Sequence, residues 1–395
     1  MFEIIKPDVN FQIVPKQRIF LAVSAIAVLL SIAAIIFIGP TYGIDFKGGS
    51  DIVLQFTETV DAEQVREAAD KAGLPDAQVQ RYGTVEQNTF LVQTRAASVM
   101  DEAKSQEIRE GLAKLGTMTE FTWSESRPNS ARVSFEAPVA LDEIKKTVEK
   151  SDLQGVTVAQ SNNSRINQYD ITFEDLQTFV TDAFAEQFPT QFDPSSGIAR
   201  METVGAQVGA QFRNAGILSL LVAMLAIMLY VAVRFDIRYA PGGVIALLHD
   251  IIIVIGIFTV IQHEISLPTI AALLTILGYS INDTIIIYDR IRENLADASD
   301  DVSVPEVANR SINETLSRTI MTSTTTLVAI SAIAFLGSGL IQDFALALII
   351  GIAVGTYSSV FVASSIMVRI DAFLTARREA QELINKQAAD SATTA

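Results

Sequence analysis

Six apolar runs constrain this 395-residue chain more than any other feature. They cover Ile19–Ile38, Gly216–Val233, Gly242–Ile261, Leu267–Tyr288, Thr319–Leu336 and Ile341–Val368. About 20 residues of helix cross a hydrocarbon core of ~30 Å. Each run is read as a membrane span, and the long last one as tilted or reaching past the lipid. Hydrophobic residues make up 49% of the chain, more than the interior of a soluble protein of this length would hide. The first run follows Lys16 and Arg18 and ends at Gly39-Pro40 without a small-x-small cleavage signal. An uncleaved anchor is expected there, not a signal peptide.

The stretch between the first two runs has a different character. Alternation over Ile52–Phe56 predicts a strand, and Val65, Ala68, Ala69 and Ala72 share one face of a helix stopped by Gly73. AQVQRY, NTFLVQT, MTEFTWS, ARVSFEA, GVTVAQSN and QYDITFE read as further strands. Helices are expected over about Asp101–Leu115, over LDEIKKTVEK and over DLQTFVTDAFAEQF. This order predicts an enlarged α+β domain of ferredoxin-like type, and two such modules in tandem fit the length. Gly48-Gly49 reads as a tight turn beside a strand, not a phosphate loop. Met201–Arg213, with Gly205 and Gly209 one turn apart, reads as a helix re-entering the membrane with close backbone contact.

Cations fall on alternate sides of the spans. Lys6, Lys16 and Arg18 precede the first, and Arg234 and Arg238 follow the second. Arg290, Arg292, Arg310 and Arg318 lie between the fourth and fifth, and Arg369, Arg377 and Arg378 follow the sixth. The linkers at His263-Glu264 and Gly337–Asp343 carry neither Lys nor Arg. The positive-inside rule then puts both termini in the cytoplasm. The expected order is a cytoplasmic N-terminus (1–18), a first span (19–38), a periplasmic domain (39–213), spans two to six (214–370, with a cytoplasmic loop near 289–317) and a cytoplasmic tail (371–395). The final ADSATTA is small and polar and is expected to be disordered.

No catalytic constellation appears. The chain has two His and no Cys, and it lacks a P-loop, a G-x-S-x-G and an H-E-x-x-H. No enzymatic activity, cofactor or metal site is expected. The net charge of -16 without a basic block argues against nucleic acid. The chemistry that stands out lies inside the fourth span, where Asp283 follows Asn282 while Thr284–Tyr288 are still to come. A carboxylate at such depth costs roughly 2.5–3.5 kcal/mol and is tolerated where it faces other helices or a watery path. Asp289, Arg290, Arg292 and Glu293, from about 9 Å further along the helix, read as an ion-paired helix end. His249-Asp250 in the third span is either a proton-handling pair or an Asp bonded to groups on a neighbouring helix. Arg318 opens the fifth span, ahead of a polar stripe of Thr319, Thr322, Ser323, Thr324, Thr325 and Thr326. In the sixth span Ala347, Gly351, Gly355, Ser359 and Ala363 form a packing face. His263 reads as a solvated linker residue.

Four segments together resemble the SecF family of the Sec protein-export machinery, within the resistance-nodulation-division superfamily. They are YGIDFKGGS at Tyr42–Ser50, ETVGAQVGAQFRNAG at Glu202–Gly216, LGYSINDTIIIYDRIREN at Leu277–Asn294 and LSRTIMTSTTTL at Leu316–Leu327. The resemblance implies a multi-pass protein of the bacterial inner membrane with six spans and a ferredoxin-like periplasmic domain. It implies a SecD-like partner subunit, the SecYEG translocon, unfolded exported proteins as clients, and protons as the driving ion. It ties Asp283 and Arg318 to proton use, and Asp250 is a further candidate for the relay. The rival expectation is one half of a proton-driven efflux or lipid transporter of the same superfamily. Two departures stand out. The segment from about Asp101 to Phe188 makes the external domain longer than the family's compact module, and the family's VGP is Val204-Gly205-Ala206 here.

Overall fold

The computed structural model describes residues 10–393, except 75, 84, 125–126, 152, 162–166, 236–237, 300–301 and 338. Lys6 and the last two residues of the expected tail lie outside the described residues. Two compact units form: residues 42–214, and the remainder on either side of them.

The chain opens with helix α1 (Gln17–Phe37), the one-turn α2 (Ile44–Lys47) and strand β1 (Gly49–Gln55). Then come α3 (Ala62–Lys71), β2 (Gln78–Arg81), β3 (Thr89–Thr94), α4 (Glu102–Leu112), β4 (Met118–Ser124) and β5 (Arg127–Phe135). The domain closes with α5 (Leu141–Glu149), β6 (Thr157–Gln160), β7 (Gln168–Thr172), α6 (Leu176–Gln187) and β8 (Ile198–Val204). Side chains cap three of its helices. Asp101 accepts from Lys104 N at 2.7 Å and Asp175 from Thr178 N at 2.8 Å, while Asp61 and Gln64 form a reciprocal cap on α3.

Two four-stranded antiparallel sheets result, in the orders β2-β3-β1-β8 and β4-β5-β7-β6. Along the chain the elements read as two consecutive β-α-β-β-α-β units, as two tandem modules would require. The structure corrects that tandem picture, because the closing helix–strand pairs are exchanged. The first sheet is completed by α6 and β8, whereas α4 and β4 complete the second. The physical reason is the connection after β4. Only residues 125–126 separate it from β5, so the two pair as neighbours in one sheet. The first core holds Ile52, Leu54, Phe90, Val92, Val180 and Phe184, and the second holds Ile108, Leu112, Val133, Ile144 and Ile171. The extra segment is therefore residues 102–172, and α6 belongs to the first module.

The expected turn at Gly48-Gly49 is present and needs both glycines. Their φ angles are +77° and +128°, and a Cβ on Gly49 would sit 2.3 Å from Thr94 O. Met201–Val204 is strand rather than helix: Met201 lies opposite Ile52 and Thr203 opposite Ser50 in the β1–β8 ladder. The close backbone approach expected at Gly209 is real, since a Cβ there would meet Gly48 N at 3.0 Å.

The second unit contains the helices α7 (Ala206–Arg234, which begins in the first unit), α8 (Ala240–Val260), α9 (Leu267–Ala296), α10 (Val304–Leu336), α11 (Leu340–Ser358) and α12 (Ser364–Thr393). A π-helical turn, Ser359–Ala363, joins the last two into one long span. Among the described residues, six helices are long and apolar enough to cross a membrane. The one expected disordered stretch is helical through Thr393. α8, α9 and α11 are largely buried in the bundle, whereas α1, α7 and α10 expose most of their apolar windows. Asparagines fasten the N-terminal segment to α10. Asn309 Oδ1 accepts from Ile13 N at 2.9 Å and Val14 N at 3.1 Å, and Asn313 Oδ1 accepts from Phe11 N at 2.8 Å.

Candidate functional site

The three inner helices meet on small residues. A Cβ on Gly351 would lie 2.1 Å from Ile276 Cδ1, and one on Gly355 would lie 3.1 Å from Ser280 Cβ and 3.4 Å from Asp250 Oδ2. Glycine at these positions lets α11 approach α9 closely enough for their polar groups to touch. The packing face expected on the sixth span is thus turned inward, within this chain.

Two carboxyl groups are buried there, in different surroundings. Asp250 is 0% exposed and fully engaged. His249 Nδ1 lies 2.9 Å from Oδ1, and the hydroxyls of Ser280 and Ser358 donate to Oδ2 at 2.7 and 2.8 Å. Asp250 is thus bonded to serines on both neighbouring helices, and its pairing with His249 stands beside those bonds. Asp283 is 2% exposed, and its Oδ2 has no hydrogen-bond partner among the described residues. It lies three residues, about 4.5 Å of helix rise, from Ser280 on α9.

Arg318 on α10 is exposed and makes no ion pair with Asp283 among the described residues. The hydroxyl stripe that follows splits between two faces. Thr319 and Ser323 point into the bundle; Thr319 Oγ1 has no hydrogen-bond partner among the described residues and Ser323 accepts from Thr356 Oγ1 at 2.7 Å. Thr322 and Thr325 face outward and donate to carbonyls one turn back, at 3.0 Å each. A guanidinium and a row of hydroxyls on the outer face of a span are poorly suited to lipid and suited to another protein surface or a hydrated path.

The helix end beyond Asp283 is ion-paired, as expected. Arg292 pairs with Asp289 at 3.0 Å, and Arg290 with Glu293 and with Glu314 of α10. His263 departs from the solvated reading: it is half-buried, its Nε2 is 3.1 Å from Asp343 Oδ1, and it meets the Phe258 ring edge-on. Sequence reasoning missed Ser280, Ser358 and Tyr357. The available signal was the cluster of serines at 358, 359, 364 and 365 inside an apolar run.

The fold and the site define a polytopic helical membrane protein with a ferredoxin-like α+β domain between its first and second spans and a buried carboxyl group, Asp283, with one oxygen unpartnered among the described residues. Residues 185–372 match the family described as "Protein export membrane protein SecD/SecF, C-terminal", and residues 33–60 match the "SecD/SecF GG Motif". The chain is 32% identical over 383 residues to the protein translocase subunit SecF of Koribacter versatilis, covering 91% of this chain and 92% of that one. It is 49% identical over 181 residues to the protein translocase subunit SecDF of Thermus thermophilus, covering 46% and 24%. The crystal structure of the Thermus SecDF superposes with a TM-score of 0.61 at 30% identity, over 93% of this chain and 39% of that one. This chain belongs to the SecF family of protein translocase subunits.

Proposed function

We propose that this chain acts with a SecD-like subunit beside the SecYEG translocon and promotes export of unfolded proteins, driven by protons that enter through Asp283. One observation carries the reading: of three buried carboxyl groups in the bundle, Asp250 is bonded on both oxygens and Asp371 is paired with Arg238 at 2.8 Å, while Asp283 keeps an oxygen without a partner among the described residues. A group of that kind can alternate between a neutral acid and a carboxylate facing the Arg318 charge. Moving one charge across the membrane potential supplies about 2.3 kcal/mol per 100 mV, enough to bias two helix packings. The outward polar face of α10 supports a partner subunit that completes the site. The charge pattern of the linkers supports cytoplasmic termini and a periplasmic domain in the bacterial inner membrane. That domain has open sheet edges at β2, β8, β4 and β6, which suit low-specificity pairing with an extended client chain.

The names of its relatives, all protein translocase subunits, support export over the efflux alternative. The test is proton uptake by liposomes holding the purified complex with its SecD-like partner. The parent should acidify the lumen when a potential is imposed, and Asp283→Asn should reduce uptake to the protein-free leak while the complex stays intact. Uptake by Asp283→Asn equal to the parent's would refute the role of Asp283.

A further inference from the structure

The cluster around Asp250 leaves one polar atom over. Two serine hydroxyls donate to Asp250 Oδ2 and His249 Nδ1 lies 2.9 Å from Oδ1, but His249 Nε2 has no hydrogen-bond partner among the described residues, and the residue is only 5% exposed. An imidazole whose Nδ1–H points at a carboxylate carries its lone pair on Nε2. The basic position left open in this cluster is therefore on the ring and not on the carboxylate. The ring lies nearly parallel to Tyr357, with centroids 6.3 Å apart and 22° between planes. Tyr357 in turn donates to Phe20 O at 3.1 Å and accepts from Ser24 Oγ at 3.3 Å, both on α1.

We propose that His249 is a second proton-accepting group of the bundle, with Asp250 as its fixed counter-ion. The step is a protonation at one atom. The Nε2 lone pair takes a proton, no bond between heavy atoms breaks, and imidazolium and carboxylate together carry no net charge. Release returns the lone pair. A neutral pair is the form in which a buried charge is tolerated, and truncating either partner strands the other. The titratable groups facing the ring are Asp250 on its own helix and Tyr357 from α11. α9 brings Ser280 and, three residues further, Asp283, while α1 brings Ser24. Because Ser280 and Ser358 both hold Asp250, a change of charge at His249 acts on α9 and α11 together. Only this coupling to Asp283 rests on the proposed function; protonation of the ring does not.

The chain has two histidines, so His263→Gln leaves His249 as the sole imidazole. The full chain carrying that change, with ¹⁵N-labelled histidine and in lipid, is followed by solid-state NMR during acidification. The expected result is Nδ1 bearing hydrogen throughout, with Nε2 passing from a bare lone pair to N–H while the protein remains folded. His249→Gln keeps a donor for Asp250 but cannot take the proton. In the complex with the SecD-like partner it should slow gradient-driven export about 100-fold, the low end for a lost proton-transfer group. It should also flatten the pH profile while binding the partner normally. A ring that stays neutral until the protein unfolds, or a His249→Gln profile that superimposes on the parent's, overturns the proposal. The NMR outcome stands whether or not Asp283 carries the coupled proton.

Discussion

Gly351→Ala adds a single methyl group, and its cost follows from the geometry. The new carbon would stand 2.1 Å from Ile276 Cδ1, 2.4 Å from Cγ1 and 3.1 Å from Cγ2, where Ile276 is wholly buried. Carbon atoms attract at about 3.5–4.0 Å, so Ile276 or one of the two helices must move. Overpacking of this kind costs about 1–3 kcal/mol. Helix preference returns roughly 0.5–1 kcal/mol, since alanine is the better helix former. The net expectation is a destabilisation of about 1 kcal/mol, and at most about 2.5 kcal/mol. Gly278→Ala on α9 is the control, because a Cβ there meets nothing within 4 Å. The assay is the temperature at which half the purified protein leaves the monodisperse gel-filtration peak. Gly351→Ala should lower it and Gly278→Ala should not. Ile276→Ala removes all three clashing atoms, so the double variant should be more stable than the sum of the single losses, by about 1–3 kcal/mol. A Gly351→Ala protein as stable as the parent would refute the inward packing of this face.

Three further outcomes are expected. The second module, expressed as residues 98–175, should fold by itself, since its core is continuous; the chain's single tryptophan, Trp123, reports its cooperative unfolding. Burial raises the Asp170 carboxyl group, but hydrogen bonds from Arg132 and Ser161 and the charges of Arg132 and Arg127 outweigh it and hold the group below its ordinary value. A depressed carboxyl group stabilises the fold above its unfolded-state value and loses that contribution as pH falls through the folded one. Asp170→Asn should therefore weaken that module at neutral pH and make its acid unfolding curve flatter, as read by Trp123 fluorescence. Reporters fused after Lys150 and after Ala296 should be periplasmic and cytoplasmic respectively, and reversed locations would contradict the orientation.

Local pattern made most elements legible. Alternation exposed β1 through Ile52 and Leu54, and unbroken apolar length exposed the spans. β8 was hidden because Glu202 and Thr203 give it no apolar alternation, and its place is set by pairing with β1, some 150 residues earlier in the chain. The exchange of helix–strand pairs between the two modules was equally hidden, because sheet order is a long-range property that periodicity does not encode. Asp283 was legible as a charge in an apolar run. Its contrast with Asp250 was not, since the serines that engage Asp250 lie 30 and 108 residues away. Where Arg318 points was not legible either: the helix turns Thr319 and Ser323 into the bundle and leaves Arg318 outside.

The proposed role of Asp283 is to convert a proton gradient into export. It is tested most directly by translocation of an unfolded client into inverted membrane vesicles, with ATP held constant and the gradient imposed or collapsed. The parent complex should export faster with the gradient. Asp283→Asn should assemble normally and export at one rate in both conditions, while Asp283→Glu retains part of the response. An Asp283→Asn complex that still responds to the gradient as the parent does would make Asp283 a structural residue and contradict the account.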